Sequence, residues 1–249
     1  MISRPEQDPK DGGVSRAAQD LKGELSHAAA EVAATIKPKL RGWLHLGMAP
    51  LALVAAIVLI VLAPTTLGRI SSVVFGFSAV MLFATSATYH RGHWRPTTSK
   101  LLKRMDHANI FLIIAGSYTP LALMLLRPDS ARTLLILVWS GAIAGILFRV
   151  FWVGAPRWLY TPVYVALGWV AVFYIVPFYE AGGAAVVALI ATGGLLYTLG
   201  AVVYGLKRPN PSPRWFGFHE IFHAFTIAAF TTHYIAVSLA VYGAIPGVA

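Results

Sequence analysis

The sequence predicts an all-α integral membrane protein: a bundle of seven transmembrane helices with a cytoplasmic N-terminus and an outside C-terminus. Three observations predict it. Of 249 residues, 57% are hydrophobic and only 12% charged, where a soluble chain carries about 25% charged residues. So little polar surface cannot cover a water-soluble body, which excludes an ordinary cytosolic enzyme; the mean hydropathy of +0.67 agrees. Seven apolar stretches each approach the roughly 20 residues that a helix needs to cross the hydrocarbon core. Lys and Arg gather in the connections on one side, as the positive-inside rule requires. The chain has no Cys, which removes disulfides, thiolate metal sites and cysteine nucleophiles together.

Residues 1–43 form a polar extension with no apolar core, so no cleavable signal peptide is expected and this segment is read as a cytoplasmic domain of its own. Within it Val14, Ala17, Leu21, Leu25, Ala28, Val32 and Ile36 recur at steps of three or four. That spacing suits either an amphipathic helix on the membrane surface or a frayed, alanine-rich tail. Residues 44–249 form the membrane domain, with spans expected at 44–63, 70–89, 107–126, 133–153, 158–178, 184–206 and 219–243. Pro64, Pro128, Pro156 and the Pro209, Pro211, Pro213 run lie between spans, where helix stops belong. Pro120, Pro162 and Pro177 fall within or near the ends of spans, which buried neighbours tolerate. The Gly182–Gly183 and Gly193–Gly194 pairs are read as close helix packing.

On this alternation 17 Lys and Arg lie on the N-terminal side and only Arg69, Arg127 and Arg132 on the other. The split places the N-terminus in the cytoplasm. It also explains the formal charge of +10 as topology, so membrane lipids are the expected partners and nucleic acid is not. A multi-pass protein of the plasma membrane follows.

Ionisable residues cost about 2.5–3.5 kcal/mol at the centre of a span, so those present need a reason. His45 begins span one, His90 ends span two, Asp106 and His107 begin span three, and His219 and His223 begin span seven. All fall at the cytoplasmic level. Ser86 and His90 are four apart, hence on one helical face. His219 and His223 are also four apart, the spacing that lets one metal take both imidazoles. With His90 as third ligand the set suits a zinc ion that keeps an open position for water. Asp106 would then bind or deprotonate that water and Ser86 would hydrogen-bond it. Plainer readings stand beside this one. Asp106 can cap span three, Ser86 can bond its own helix, and His45 and His107 can be hydrogen-bonded helix ends. His233, about 15 Å beyond His223 along a helix, reads as a buried polar contact. Glu220 points about 100° from His219, toward a neighbouring loop. His219-Glu220-x2-His223 also matches the zinc-protease pattern, but no Asp or Glu follows Glu220 to complete it. A retinal protein is disfavoured because span seven has no Lys.

Three motifs taken in order carry a resemblance. They are Ser86-x3-His90, then Asp106-His107-Ala108-Asn109-Ile110 running to Ala115-Gly116-Ser117-Tyr118-Thr119-Pro120, then His219-x3-His223. As an ordered set they resemble the bacterial hemolysin III family, which belongs with the progestin and adipoQ receptors and is distantly similar to the alkaline ceramidases. The stretch Lys37-Pro38-Lys39-Leu40-Arg41-Gly42-Trp43-Leu44-His45 resembles that family's approach to its first span, and the likeness covers about residues 37–243. It implies a seven-helix bundle with zinc near the cytoplasmic face, held by His90, His219 and His223, with Ser86 and Asp106 around the zinc-bound water. It also implies a link to membrane fluidity homeostasis and, by name, to hemolysis. Three functions are compatible with the sequence. One is a zinc-dependent hydrolase of a lipid amide or ester; another is a membrane-state sensor or receptor with structural zinc. The last is a pore-forming hemolysin, for which mid-span polar residues are few.

Overall fold

The computed structural model describes residues 19–25, 38–152 and 154–244. Of the N-terminal pattern only 19–25 falls among these; it is helical and exposed, while Val14, Ala17, Ala28, Val32 and Ile36 lie outside the described residues. The membrane domain is built from α1 (Trp43–Leu62), α2 (Thr66–Arg91), α3 (Pro96–Leu125), α4 (Pro128–Phe151), α5 (Arg157–Gly168), a 3-10 segment (Trp169–Tyr174), α6 (Ile175–Leu206) and α7 (Phe218–Tyr242). Among the described residues, six helical stretches are long and apolar enough to cross a membrane, the fifth being the continuous run Arg157–Leu206.

Local chemistry explains the helix ends. Thr65 precedes α2 in an extended conformation, and its hydroxyl accepts from the Gly68 N–H at 3.0 Å, which satisfies one of the donors a helix start leaves open. Proline opens both α3 and α4, where its missing N–H costs nothing and its fixed φ suits the first turn. Inside α2 the hydroxyls of Ser71 and Ser72 both donate to the Gly68 carbonyl, so neither is left unpaired in an apolar setting.

The helix starting at Pro96 corrects the expected start at 107. Residues 96–106 are mostly polar, so hydropathy marks the apolar part of α3 and not where the helix begins. The expected span at 158–178 is also corrected: α5 tightens into the 3-10 segment before α6 resumes at Ile175. The Tyr118 hydroxyl is inserted at this point: it donates to the Gly168 carbonyl at 2.7 Å and accepts from the Ala171 N–H at 2.7 Å, taking over backbone bonds that a continuous α-helix would make for itself.

The run Arg157–Leu206 would be about 75 Å long as one straight helix, more than twice the roughly 30 Å hydrocarbon core. It is not straight. Gly183 adopts φ 74°, ψ −179°, a conformation open to glycine and strained for residues with a Cβ. Contacts on either side of it run antiparallel: Arg157 Nη1 donates to the Tyr204 carbonyl at 3.2 Å and Trp169 Nε1 to Thr198 Oγ1 at 2.9 Å. Gly183 is therefore where the chain reverses, not a packing contact. Gly193 does serve packing, since a Cβ there would collide with the His233 ring.

The helix α3 is central, packing against α2, α4, α5, α6 and α7, while α1 closes the bundle against α2 and α7. Aromatic and aliphatic side chains fill the interior, with Phe75, Phe83, Phe111, Phe178 and Leu134 fully enclosed. Large apolar side chains such as Leu51, Val61, Phe77 and Phe173 point outward, a surface that suits lipid rather than water.

Candidate metal centre

Four helices bring ionisable side chains to one level of the bundle. Ser86 and His90 occupy the last turns of α2, Asp106 lies one-third of the way along α3, and His219 and His223 sit in the first two turns of α7. His45, in the first turn of α1, completes the ring.

The segment before α1 brings these helices together. The Lys39 and Leu40 N–H groups donate to the carbonyls of Arg214 and Trp215 at 2.9 and 3.2 Å, joining the approach to α1 to the loop that leads into α7. Arg41 Nε donates to Glu220 Oε1, and Glu220 Oε2 accepts from the Gly217 N–H at 2.8 Å. Glu220 is fully buried, so both carboxylate oxygens are spent on holding the start of α7. That placement answers its direction away from His219 and leaves it no role as a general base. Gly42 then turns the chain at φ 83° against His90, whose Cβ would meet any Cβ on Gly42.

His90, His219 and His223 each offer a nitrogen, and these lie within 4.8 Å of one another. The Nε2 atoms of His90 and His219 are 3.1 Å apart. Between two imidazoles alone that distance requires a shared proton. Two nitrogens bound at about 2.0–2.1 Å to one tetrahedral zinc would stand roughly 3.3 Å apart, so the spacing also fits common ligation. His223 is buried and its Nδ1 has no hydrogen-bond partner, a costly state that a metal ion taking that nitrogen would relieve. The three residues could hold a metal ion. Asp106 Oδ2 lies 3.7 Å from His90 Nε2, beside the ligand set, and the Ser86 side chain bonds the Asp106 carboxylate.

His45 is the residue whose place here was not evident from its sequence position. It is buried, and its ring stacks on His223 with centroids 3.7 Å apart and planes 13° from parallel. The stack fixes the rotation of the His223 imidazole. The signal in the sequence is its depth, shared with the other histidines. His107 stands apart from the cluster: its Nδ1 donates to the Lys103 carbonyl at 2.7 Å, and Nε2 accepts from the Tyr204 hydroxyl at 3.3 Å. His233 lies deeper, its Nε2 donating to the Ile190 carbonyl across α6 at 3.2 Å.

From the cluster a cavity of about 170 Å³ extends into the bundle. Ser86, Asp106, His219 and His223 line one end and His233 lies among its deeper walls, with mostly apolar side chains such as Ile113 and Phe178 between.

A family model described as haemolysin-III related matches residues 33–234. The chain is 30% identical over 207 residues to a Hemolysin-3 homolog of Bacillus subtilis (strain 168), covering 82% of this chain and 94% of that protein. It is 32% identical over 173 residues to Hemolysin-3 of Bacillus cereus, covering 68% of this chain and 78% of that protein.

Proposed function

The chain belongs to the haemolysin-III related family of multi-pass membrane proteins, and on that premise we propose that it is a zinc-dependent hydrolase of a lipid amide or ester in the plasma membrane. The observation that carries the reading is the junction of a three-histidine cluster with an apolar cavity. A carbonyl at the cluster would leave its acyl chain in an environment like the one it came from.

The bundle has seven spans on this reading, because the antiparallel contacts about Gly183 divide the run Arg157–Leu206 into two. The bias of Lys and Arg then sets the N-terminus in the cytoplasm and the C-terminus outside, with the cluster at the cytoplasmic end. Arg and Lys on that side can hold an anionic lipid head group.

His90, His219 and His223 are the ligands. A zinc ion, when bound, activates water near neutral pH and polarises a carbonyl. Asp106 takes a proton from the attacking water as its oxygen bonds to the carbonyl carbon, and returns it to the amine or alcohol as the C–N or C–O bond breaks. Ser86 holds the Asp106 carboxylate in position for both transfers.

The test is lipid mass spectrometry of proteoliposomes holding ceramide, phospholipid and acyl-amide substrates. Wild type should release a fatty acid from one class, and Asp106→Asn should abolish release while retaining zinc. If no class is consumed by zinc-loaded protein, hydrolysis is wrong and the ion's role is to tie α2 to α7, as a membrane-state sensor requires.

A further inference from the structure

Two side chains that line the cavity each carry a buried polar atom without a hydrogen-bond partner. These are His233 and Tyr197, their rings edge to face with centroids 5.5 Å apart. The Tyr197 hydroxyl and His233 Nδ1 are buried without a hydrogen-bond partner, where apolar side chains would be expected. The site also has room made for it, since Gly193 is the residue whose missing side chain admits the His233 ring.

The donor and acceptor pattern is specific. A carbonyl oxygen only accepts, so the contact with Ile190 assigns the hydrogen of a neutral His233 ring to Nε2 and leaves Nδ1 as an acceptor. The Tyr197 hydroxyl has a proton to donate. A group that donates to Nδ1 and accepts from the Tyr197 hydroxyl would satisfy both atoms, which a hydroxyl can do and a ketone or carboxylate cannot. Ten residues separate His223 from His233 in α7, about 15 Å, or half the roughly 30 Å hydrocarbon thickness. A lipid head at the histidine cluster would bring the middle or lower part of its chain to this pair.

We propose that His233 and Tyr197 form a second polar subsite that recognises a hydroxyl carried partway along the acyl chain of the lipid in the cavity. This rests on the cavity's being an acyl-chain site, and it narrows the substrate to hydroxylated chains. A water molecule is the competing occupant, since it also donates and accepts, and it would give no preference between chains.

The experiment is a competition between ricinoleic acid, which bears a mid-chain hydroxyl, and oleic acid, the same chain without it. Binding to the full-length protein in detergent is read by native mass spectrometry. Wild type should prefer ricinoleic acid by roughly tenfold, about the value of one or two hydrogen bonds. Tyr197→Phe, which removes only an unpaired hydroxyl, should reduce the preference to about twofold or less while leaving oleic acid binding unchanged. His233→Leu should do the same. Equal binding of both acids by wild type, or an undiminished preference in Tyr197→Phe, overturns the subsite alone. Failure of both acids to bind overturns the acyl-chain reading of the cavity and the subsite with it.

Discussion

Replacing Glu220 by Ala should cost the protein both stability and metal affinity, although Glu220 is not a ligand. Its side chain is fully buried and bonds Arg41 and the Gly217 N–H. Breaking a buried ion pair costs about 3–5 kcal/mol; the Arg41 side chain is 20% exposed, so water recovers part and about 2 kcal/mol is expected. Loss of the bond to the start of α7 adds about 1 kcal/mol, for a total near 3 kcal/mol. Because His219 and His223 stand in the turns that this bond anchors, zinc affinity should fall by about 10–100-fold, the scale of losing a residue that orients a ligand. Glu220→Gln keeps an acceptor for the Gly217 N–H and should lose roughly half as much stability. Thermal unfolding in detergent reads the first effect and competition with a chromophoric chelator the second. Wild-type values for both in Glu220→Ala would refute the coupling between the α1 approach and the cluster.

Three further outcomes follow from the same geometry. Reporter fusions after Lys103 and after Gly243 should report opposite faces of the membrane, and the same face for both would end the seven-span arrangement. Gly183→Ala should destabilise the protein by about 1–2 kcal/mol, the cost of holding a Cβ-bearing residue at this positive φ; an unchanged melting temperature would mean that the reversal is not set there. His45→Phe preserves a ring against His223 and should leave zinc binding near the wild-type value, whereas His45→Ala should weaken it about tenfold. Equal loss in both variants, read by chelator competition, would make His45 a ligand rather than a positioning residue.

The membrane character and the meeting of the site's main residues were legible because each rests on local pattern. Apolar length reports the spans, and the four-residue spacings of Ser86 with His90 and of His219 with His223 place each pair on one face. The depth of Asp106 follows from its position at the head of an apolar stretch. What was not legible rests on contacts between distant residues. Nothing near Glu220 in the chain announces Arg41, 179 positions away, and nothing near His45 announces the stack on His223. Gly183 was misread because a glycine that reverses the chain and one that admits a neighbour, as Gly193 does for His233, look alike in composition. They differ in φ, which only the folded backbone reveals. The start of α3 was placed late because a helix can continue beyond the membrane in polar residues.

Zinc content decides whether the histidine cluster is a metal centre. Protein purified in detergent should carry about one zinc per chain by elemental analysis, since the donor set offers one closely spaced group of three imidazoles among the described residues. The variant with His90, His219 and His223 all replaced by Ala should carry none while His233→Ala keeps it. Full zinc in the triple variant, or none in folded wild type after zinc supplementation, would contradict the account.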